Sequence, residues 1–312
     1  MTFNRIAIYG HRGWASSVIF DKLVASGAPI TVLYRHGSDV SSVPASVTKI
    51  EIDIQDQKAL VDALQNVDIL ISLVGHEGVT RQHAFVEAIP KTNVQLFVPS
   101  DLAARYDELG LRISVNAAKD AVESAARKTG IPMTIVLTGN IAEFALNTLA
   151  MGVDYAGNRL ILSGNSAENR LNLCTLSYVG TAYASIFAST PIANLRDRVI
   201  GLSELSPTGN EISLALGKKH QQAPKVFRHS LESIENEVES CLREASPFAL
   251  AWYCRRIWAT GQQAEMIGKD IWEPKDYTKA TLQDLIVEGK LKPYRDIPAE
   301  ITEVFSKTFK DM

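Results

Sequence analysis

A glycine-rich turn near the start of the chain has the residue types that bind a phosphate group. The first apolar run leads directly into Gly10-His11-Arg12-Gly13-Trp14-Ala15-Ser16. Between a first strand and its helix, glycines let backbone N–H groups approach a pyrophosphate, and a helix N-terminus favours negative charge. Gly10 allows the tight turn, Gly13 allows the close approach, and Trp14 begins the helical pattern. Ser16 stands where the usual pattern has a third glycine, which predicts slightly looser packing of helix on strand.

An arginine after the second strand candidate indicates which dinucleotide this turn would bind. The candidate Ile30 to Tyr34 is followed by Arg35, at the position where a unit that prefers NAD carries an acidic residue for the ribose 2′-OH. Arg35 offers a planar guanidinium for a 2′-phosphate instead, and Arg12 adds a second positive charge. The pair predicts NADPH as the cofactor. The alternative for Arg35 is a solvated charge at a strand end.

Two further polar residues follow strand candidates of the same region. Asp53 comes after the third candidate, where such folds often hold the adenine edge, or else it caps the helix that starts near Gln57. Ser100 comes after the fifth candidate, and open α/β sheets gather ligands at the carboxyl ends of their strands. Its hydroxyl can orient substrate or the nicotinamide carboxamide, or it can cap a helix that starts near Leu102.

Candidate substrate contacts and metal ligands are few. His76 follows the fourth strand candidate and Asn140 follows the last one, so either can contact a substrate, although an ordinary loop histidine explains His76 as well. The spacing of His76 and His83 does not suit two ligands on one helical face. The three cysteines are too few for a disulfide framework or a zinc site. We therefore expect no metal and a reducing, cytoplasmic location.

The elements that must position these residues alternate in the way that parallel sheets require. Short runs rich in β-branched residues are separated by amphipathic segments, as in strands joined by crossover helices. The strand candidates are Ile6–Tyr9, Ile30–Tyr34, Thr48–Ile52, Ile69–Val74, Val94–Val98 and Thr134–Leu137. The helix candidates are Trp14–Ser26, Gln57–Gln65, Thr80–Ala88, Ser114–Lys128 and Ser230–Arg243. The pattern predicts an α/β fold with a doubly wound parallel sheet of the Rossmann type over residues 1–150.

The regular alternation ends after about residue 150. Residues 151–312 are expected to form a smaller substrate-binding lobe that is interleaved with the sheet. The aromatic group that includes Phe248, Trp252 and Tyr253 would line a pocket there or simply fill the core of the lobe.

Composition excludes several classes of protein. Of the 312 residues, 46% are hydrophobic and 21% are charged, as in ordinary globular proteins. A net charge of -3 and the lack of a long Lys and Arg run argue against a nucleic-acid partner. The apolar stretches fall short of the roughly 20 residues that span a bilayer. We expect a small-molecule partner and no membrane association, and the sequence leaves the oligomeric state open.

Taken together, these residues resemble the NmrA-like and isoflavone-reductase-like group of atypical short-chain dehydrogenases. The resemblance rests on Gly10-x-x-Gly13, Arg35, Val74-Gly75 and Phe97-Val98-Pro99-Ser100-Asp101, the last being similar to the family's Phe-x-Pro-Ser-Glu-Phe-Gly. It implies that Val74, Gly75, Pro99 and Ser100 lie on the nicotinamide side of the cofactor. No tyrosine is followed four residues later by lysine, so the Tyr/Lys pair of ordinary short-chain dehydrogenases is missing. Asp101 replaces the family's glutamate, which leaves the substrate open.

The resemblance also implies a catalytic residue. The family's catalytic lysine, which lies near the nicotinamide and its ribose, corresponds to Lys119. An ammonium group carries an acidic proton at neutral pH and can protonate a developing alkoxide or phenolate. From the residues alone, a solvated lysine early in a helix is the alternative.

The sequence therefore supports three functional hypotheses. The first is an NADPH-dependent reductase of a small aromatic or polyketide-like molecule, with Lys119 as general acid or base. The alternative is a dinucleotide sensor of the NmrA type, which binds the cofactor without turnover and contacts a protein. An enzyme of the same fold that catalyses dehydration or isomerisation is the third.

Overall fold

The computed structural model describes residues 2–312 and is built around a parallel sheet. The strands, in chain order, are β1 (Ile6–Tyr9), β2 (Ile30–Tyr34), β3 (Thr48–Glu51), β4 (Ile69–Ser72), β5 (Leu96–Val98), β6 (Thr134–Leu137), β7 (Asn140–Ile141), β8 (Val153–Asp154), β9 (Arg159–Ser163), β10 (Leu173–Cys174), β11 (Arg198–Gly201) and β12 (Lys225–His229). Five of them form the central sheet, in the order β3-β2-β1-β4-β5.

Helices cover both faces of this sheet and build the rest of the chain. They are α1 (Trp14–Ala25), α2 (Gln57–Leu64), α3 (His83–Ala88), α4 (Glu108–Leu111), α5 (Ser114–Lys128), α6 (Ala142–Ala145), α7 (Leu176–Phe187), α8 (Gly209–His220), α9 (Leu231–Arg243), α10 (Ala249–Ala259), α11 (Gln262–Glu265) and α12 (Ala299–Ser306). A 3-10 helix over His76–Gln82 precedes α3, and a short π-helix spans Gln283–Val287.

The strands are buried on both faces because helices pack on each side. In β1, Ile6 and Ile8 point into a core that contains Ile19 and Leu23 of α1, whereas Ala7 and Tyr9 point into the core on the opposite face. That opposite core also receives apolar residues of α2, α3 and α5. A sheet covered on both sides needs apolar residues at successive positions, as the sequence shows.

The sheet continues beyond β5 with a strand from the second half of the chain. Phe97 bridges Met133 next to β6, and β11 pairs in parallel with β6. From the same half, α7 packs on α1, where a Cβ on Gly180 would lie 2.9 Å from the backbone oxygen of Val18. A glycine at this position allows the two helices to approach closely.

The second half also builds a separate lobe around a smaller sheet, in the order β12-β9-β8. Trp252, Tyr253 and Trp258 of α10 are almost fully buried, at 6%, 1% and 1% exposure. Phe248 packs against the same core as Trp252 and Tyr253. These aromatic side chains therefore fill the interior of the lobe.

The α/β fold with a parallel sheet, expected from the sequence, is confirmed. The bounds of β1, β2, β6 and α5 are those predicted from hydrophobic patterning. Where the division between the two lobes falls stays a prediction, since β11 and α7 join residues beyond 150 to the central sheet and its helices.

The described chain has neither a membrane-spanning helix nor a metal-binding cluster. In residues 2–312, no helix is long and apolar enough to cross a membrane. No cluster of three or more His, Cys, Asp or Glu side chains over the same residues is arranged to hold a metal ion.

A buried arginine holds the last helical segment of the chain against the second lobe. Arg255, which is 1% exposed, donates from Nε to the Ala150 carbonyl at 2.6 Å and from Nη2 to the Leu149 carbonyl at 2.9 Å. It also donates to Oγ1 of Thr308 at 3.3 Å, and its guanidinium carbon lies 4.7 Å from the centre of the Trp252 ring. The guanidinium thus joins three separate segments.

We predict that Arg255→Ala lowers the free energy of unfolding by about 2–4 kcal/mol, because buried carbonyls lose a charged donor. Urea denaturation followed by circular dichroism measures the change. Arg196→Ala, at an exposed arginine, is the control and should change the value by no more than about 0.5 kcal/mol. Equal midpoints for the two variants would contradict the role given to Arg255.

Candidate functional site

The turn between β1 and α1 has the geometry of a phosphate-binding loop. Gly10 has a φ of +93°, and a Cβ there would lie 2.9 Å from the carbonyl carbon and oxygen of Leu73. Gly13 is the N-cap of α1, and no side chain accepts a hydrogen bond at this helix end. The first N–H groups of a 12-residue helix are therefore left for another acceptor.

Two buried polar atoms at this turn have no hydrogen-bond partner among the described residues. They are Oγ of Ser16 and Nε2 of His11. The Ser16 oxygen lies 2.7 Å from where a Cβ on Gly13 would be, so it occupies the space beside that glycine. Partial burial and the charge of Arg12 lower the pKa of His11, which keeps its ring neutral at neutral pH. Unpartnered buried polar atoms are uncommon in proteins, and here they mark a place where an external acceptor or donor fits.

Arg12, Arg35 and Asp53 line one open groove at the end of the sheet. The groove has a volume of about 720 Å³ and extends from the phosphate turn along the ends of β2 and β3. Across residues 2–312, neither arginine forms an ion pair with a carboxylate, although Arg12 donates to the Asp39 carbonyl at 3.3 Å. The nearby acid Glu51 contacts His36 at 2.9 Å instead. Both guanidinium groups can therefore receive an anion.

The helix-capping role considered for Asp53 is wrong. Asp56 is the N-cap of α2 and accepts from the Ala59 N–H, whereas Asp53 accepts from the N–H of Gln55 at 2.9 Å. A side chain three residues nearer to the helix takes the cap because its oxygen reaches the first turn. Asp53 remains on the wall of the groove.

Ser100 joins the ends of β4 and β5. Its Oγ donates to the Val74 carbonyl at 2.7 Å, and its backbone N–H donates to Oε1 of Gln82 at 2.9 Å. No helix begins near Leu102 in the described chain, so the predicted alternative cap role of Ser100 is wrong. The next helix, α4, is capped by Asp107. Pro99 and Ser100 are buried at this edge, whereas Gly75 is exposed and a Cβ there would meet nothing within 4 Å.

Lys119 is not a solvated lysine, because its side chain is only 10% exposed. Its Nζ donates to the backbone oxygen of Asp101 at 2.8 Å, and it lies 3.3 Å from Oδ1 of Asp101 and 3.4 Å from the hydroxyl of Tyr106. The Tyr106 hydroxyl in turn donates to Oδ1 of Asp101 at 3.0 Å. An ammonium group has three N–H donors, and here each has an acceptor in the protein.

The hydroxyl of Tyr106 stays protonated in this network. Burial, followed by the charge of Asp101 and its hydrogen bond, raises the pKa of Tyr106 far above its ordinary value. Tyr106 therefore acts as a neutral donor to Asp101. Sequence spacing did not reveal this tyrosine, since the two side chains come from different segments of the chain.

His76 is exposed, whereas Asn140 is buried. His76 begins the 3-10 helix after β4, and partial desolvation with the charges of Lys119 and Arg295 lowers its pKa. Asn140 is 7% exposed and lines a small cavity of about 40 Å³ with Tyr106 and Cys254. Burial raises the pKa of Cys254 to about 12, so its thiol is protonated at neutral pH. The cavity has room for little more than a water molecule.

A late segment of the chain crosses this edge of the molecule. The ring of Tyr294 lies 4.4 Å from that of Trp14 and 5.5 Å from that of Phe144, measured between ring centres. Trp14 belongs to the phosphate turn and Phe144 to α6, so Tyr294 links the two. This contact could not be predicted from the sequence, because nothing in the local pattern around Tyr294 indicates its partner.

Comparison with known proteins places this architecture in a family. Residues 2–237 match the model of the NmrA-like family. The isoflavone reductase homolog IRL of Zea mays is 28% identical over 156 residues, which cover 46% of this chain and 50% of that protein. Phenylcoumaran benzylic ether reductase Betv6 of Betula pendula is 31% identical over 163 residues, covering 47% and 52%. The matched region thus spans about half the length of these curated relatives.

A solved structure extends the likeness of fold to most of the chain. The binary complex of leucoanthocyanidin reductase with NADPH from Vitis vinifera superposes with a TM-score of 0.76 at 17% identity. The superposition covers 92% of this chain and 100% of that one. At this identity the likeness concerns the fold, and it agrees with the family match: the chain belongs to the NmrA-like family.

Proposed function

We propose that this protein is an NADPH-dependent reductase of a small aromatic or polyketide-like molecule, with Lys119 as the general acid. The observation that carries the proposal is the common location of three features. The phosphate turn at Gly10, the groove with Arg12 and Arg35, and the ammonium group of Lys119 all lie at the carboxyl ends of the central strands, where such sheets bind ligands. Two relatives whose names contain reductase activities add support.

The residues of the turn fit the pyrophosphate of a dinucleotide. The uncapped N-terminus of α1 offers N–H groups, and the orphaned Ser16 hydroxyl offers a further donor. A Cβ on Gly10 would lie 2.9 Å from the Leu73 carbonyl, so a glycine is what lets the turn approach the end of β4 this closely. We assign the pyrophosphate to this position, beside Gly13 and Trp14.

The groove beyond the turn fits the adenosine end with its 2′-phosphate. Two guanidinium groups without carboxylate partners face an open volume, and a phosphate dianion is the ligand that such a pair binds most strongly. Asp53 lies on the same wall and suits the adenine edge. An NAD-preferring site would have a carboxylate where Arg35 stands.

The nicotinamide side is assigned to Val74, Gly75, Pro99 and Ser100. When bound, the reduced nicotinamide supplies a hydride to an electrophilic carbon. Ser100 donates its own proton to the Val74 carbonyl, so we give its hydroxyl a positioning role in which the oxygen accepts from the carboxamide. His76, at the start of the 3-10 helix after β4, and Asn140, after β6, remain candidate substrate contacts.

Lys119 would provide the proton that balances the hydride. Its longest contact, 3.4 Å to the Tyr106 hydroxyl, is the one that a substrate oxygen would replace. The proton then passes from Nζ to the developing alkoxide or phenolate, and Asp101 continues to hold the amine through its backbone oxygen. A positioned acid of this kind typically contributes about 100- to 10,000-fold to the rate.

One observation favours the dinucleotide sensor as a second candidate. Every N–H of Lys119 already has a protein acceptor, as expected of a residue with a purely structural role. Calorimetric titration with NADPH, NADH, NADP and NAD, followed by turnover tests on aromatic carbonyl compounds, conjugated enones and benzylic ethers, separates the two. Tight NADPH binding with loss of cofactor absorbance supports the reductase, and tight binding without turnover supports the sensor.

We predict that Lys119→Met lowers kcat by at least about 100-fold, because the proton donor is lost. The Kd for NADPH should change by less than about threefold, because the phosphate contacts are intact. The rate of NADPH oxidation with any accepted substrate gives kcat, and calorimetry gives the Kd for NADPH. Lys128→Met, at an exposed lysine in the last turn of the same helix, is the control with full activity. Full turnover by Lys119→Met would remove Lys119 from the mechanism.

We predict that Arg35→Glu weakens NADPH binding by about 10- to 100-fold, because a charge-assisted contact to the 2′-phosphate becomes a repulsion. NADH lacks that phosphate, so its affinity should change little. Calorimetric Kd values for both cofactors give the ratio, with Arg196→Glu, outside the groove, as the charge-matched control. Equal losses for NADPH and NADH would refute the assignment.

A further inference from the structure

Residues 288–298, which we call the strap, cross from the second lobe to the phosphate turn without helix or strand structure. At the lobe end, Leu291 is 9% exposed and packs in the same core as Leu285. The Lys292 carbonyl then accepts a hydrogen bond from the side chain of Asn147 at 3.3 Å. Prolines at 293 and 298 restrict the backbone on both sides of Tyr294. The strap is therefore anchored at one end and stiffened where it meets the turn.

The aromatic contact of the strap is separate from the interior cores. Tyr294 and Trp14 are half-buried, and neither belongs to a hydrophobic core of the described chain. Their rings pack edge to face at 4.4 Å, and Phe144 adds a second edge contact at 5.5 Å. Edge-to-face aromatic pairs typically contribute about 0.5–1.5 kcal/mol beyond the area that they bury. Here they hold the strap directly beside the first turn of α1.

The strap also carries an arginine that has no ion-pair partner in the described chain. Arg295 is exposed and, within residues 2–312, forms no ion pair. Its charge, like that of Lys119, lowers the pKa of His76. Lys290, in contrast, is occupied by Asp284 and Glu288, each at 2.9 Å. The unpaired guanidinium of Arg295 thus lies next to Tyr294, the residue that contacts the turn.

We propose that the strap is a cofactor-binding element, in which Tyr294 covers the pyrophosphate turn and Arg295 supplies a cation to the bound dinucleotide. This inference rests on the proposed NADPH site. The pyrophosphate is common to NADPH and NADH, so Arg295 serves both cofactors, whereas Arg35 serves only the 2′-phosphate. The strap must lift for the dinucleotide to enter or leave, and the Tyr294–Trp14 contact holds it closed.

The test compares variants of the full chain by calorimetry with NADPH and NADH and by stopped-flow release of NADPH into excess NADP. We expect Arg295→Ala to weaken both reduced cofactors by a similar factor of about ten. Tyr294→Ala should raise the rate of NADPH release by about tenfold, because most changes in affinity lie in the dissociation rate. Tyr294→Phe keeps the ring and should restore the slow release.

Lys290→Ala is the matched control on the same segment. It should leave the affinities for NADPH and NADH unchanged, since Lys290 pairs with Asp284 and Glu288, which lie outside the proposed cofactor site. The strap proposal is overturned if the wild-type protein binds NADPH and both Arg295→Ala and Tyr294→Ala keep its Kd values and release rate. It is also overturned if Tyr294→Ala binds NADPH more tightly than the wild-type protein. In either case the proposed cofactor site stands. If the wild-type protein binds no dinucleotide, both proposals fall.

Discussion

The binding edge of this protein depends on the contact between the backbone of Gly10 and the end of β4. The α-carbon of Gly10 faces the Leu73 carbonyl so closely that a Cβ would lie 2.9 Å from its carbon and oxygen, and the φ of +93° suits glycine alone. This contact sets where α1 begins, and α1 in turn places Trp14 and the unpaired N–H groups. A side chain at position 10 would separate β1 from β4 and shift the turn. Arg12 and the contact between Trp14 and Tyr294 would move with it.

The central sheet could be predicted because its strands are strongly patterned, and the differences arise where tertiary contacts intervene. The run predicted through Val74 ends as a strand at Ser72, since the chain then bends past Gly10 and Val74 accepts from Ser100. The helix predicted from Thr80 begins as a 3-10 helix at His76, where Gly78 packs on the Val74 side chain. β11 was not predicted, because only Val199 and Ile200 of its four residues are β-branched, which is too short a run to indicate a strand.

Some residues of the candidate site could be predicted from the sequence, and others could not. The glycine turn and Arg35 are local features, so they could be predicted from the sequence, and in the structure Arg12 of the turn and Arg35 line one groove. Lys119 required the family resemblance, and its partners Asp101 and Tyr106 became visible only in three dimensions. The Tyr/Lys pair that is absent at its usual spacing thus occurs here in space, although this tyrosine faces a carboxylate and keeps its proton. The role of Tyr294 could not have been found from its neighbours in sequence, because its aromatic partners Trp14 and Phe144 are remote in the chain.

The packing of α7 on α1 has a consequence for synthesis of the chain on the ribosome. One face of the sheet, with Ile8 and Ile71, is closed by Tyr178 and Tyr183 of α7, and the last strand position is filled by β11. The nascent N-terminal half therefore exposes a continuous apolar surface until roughly two-thirds of the chain has been translated. During that interval the growing polypeptide is a natural client for chaperones that bind exposed hydrophobic segments.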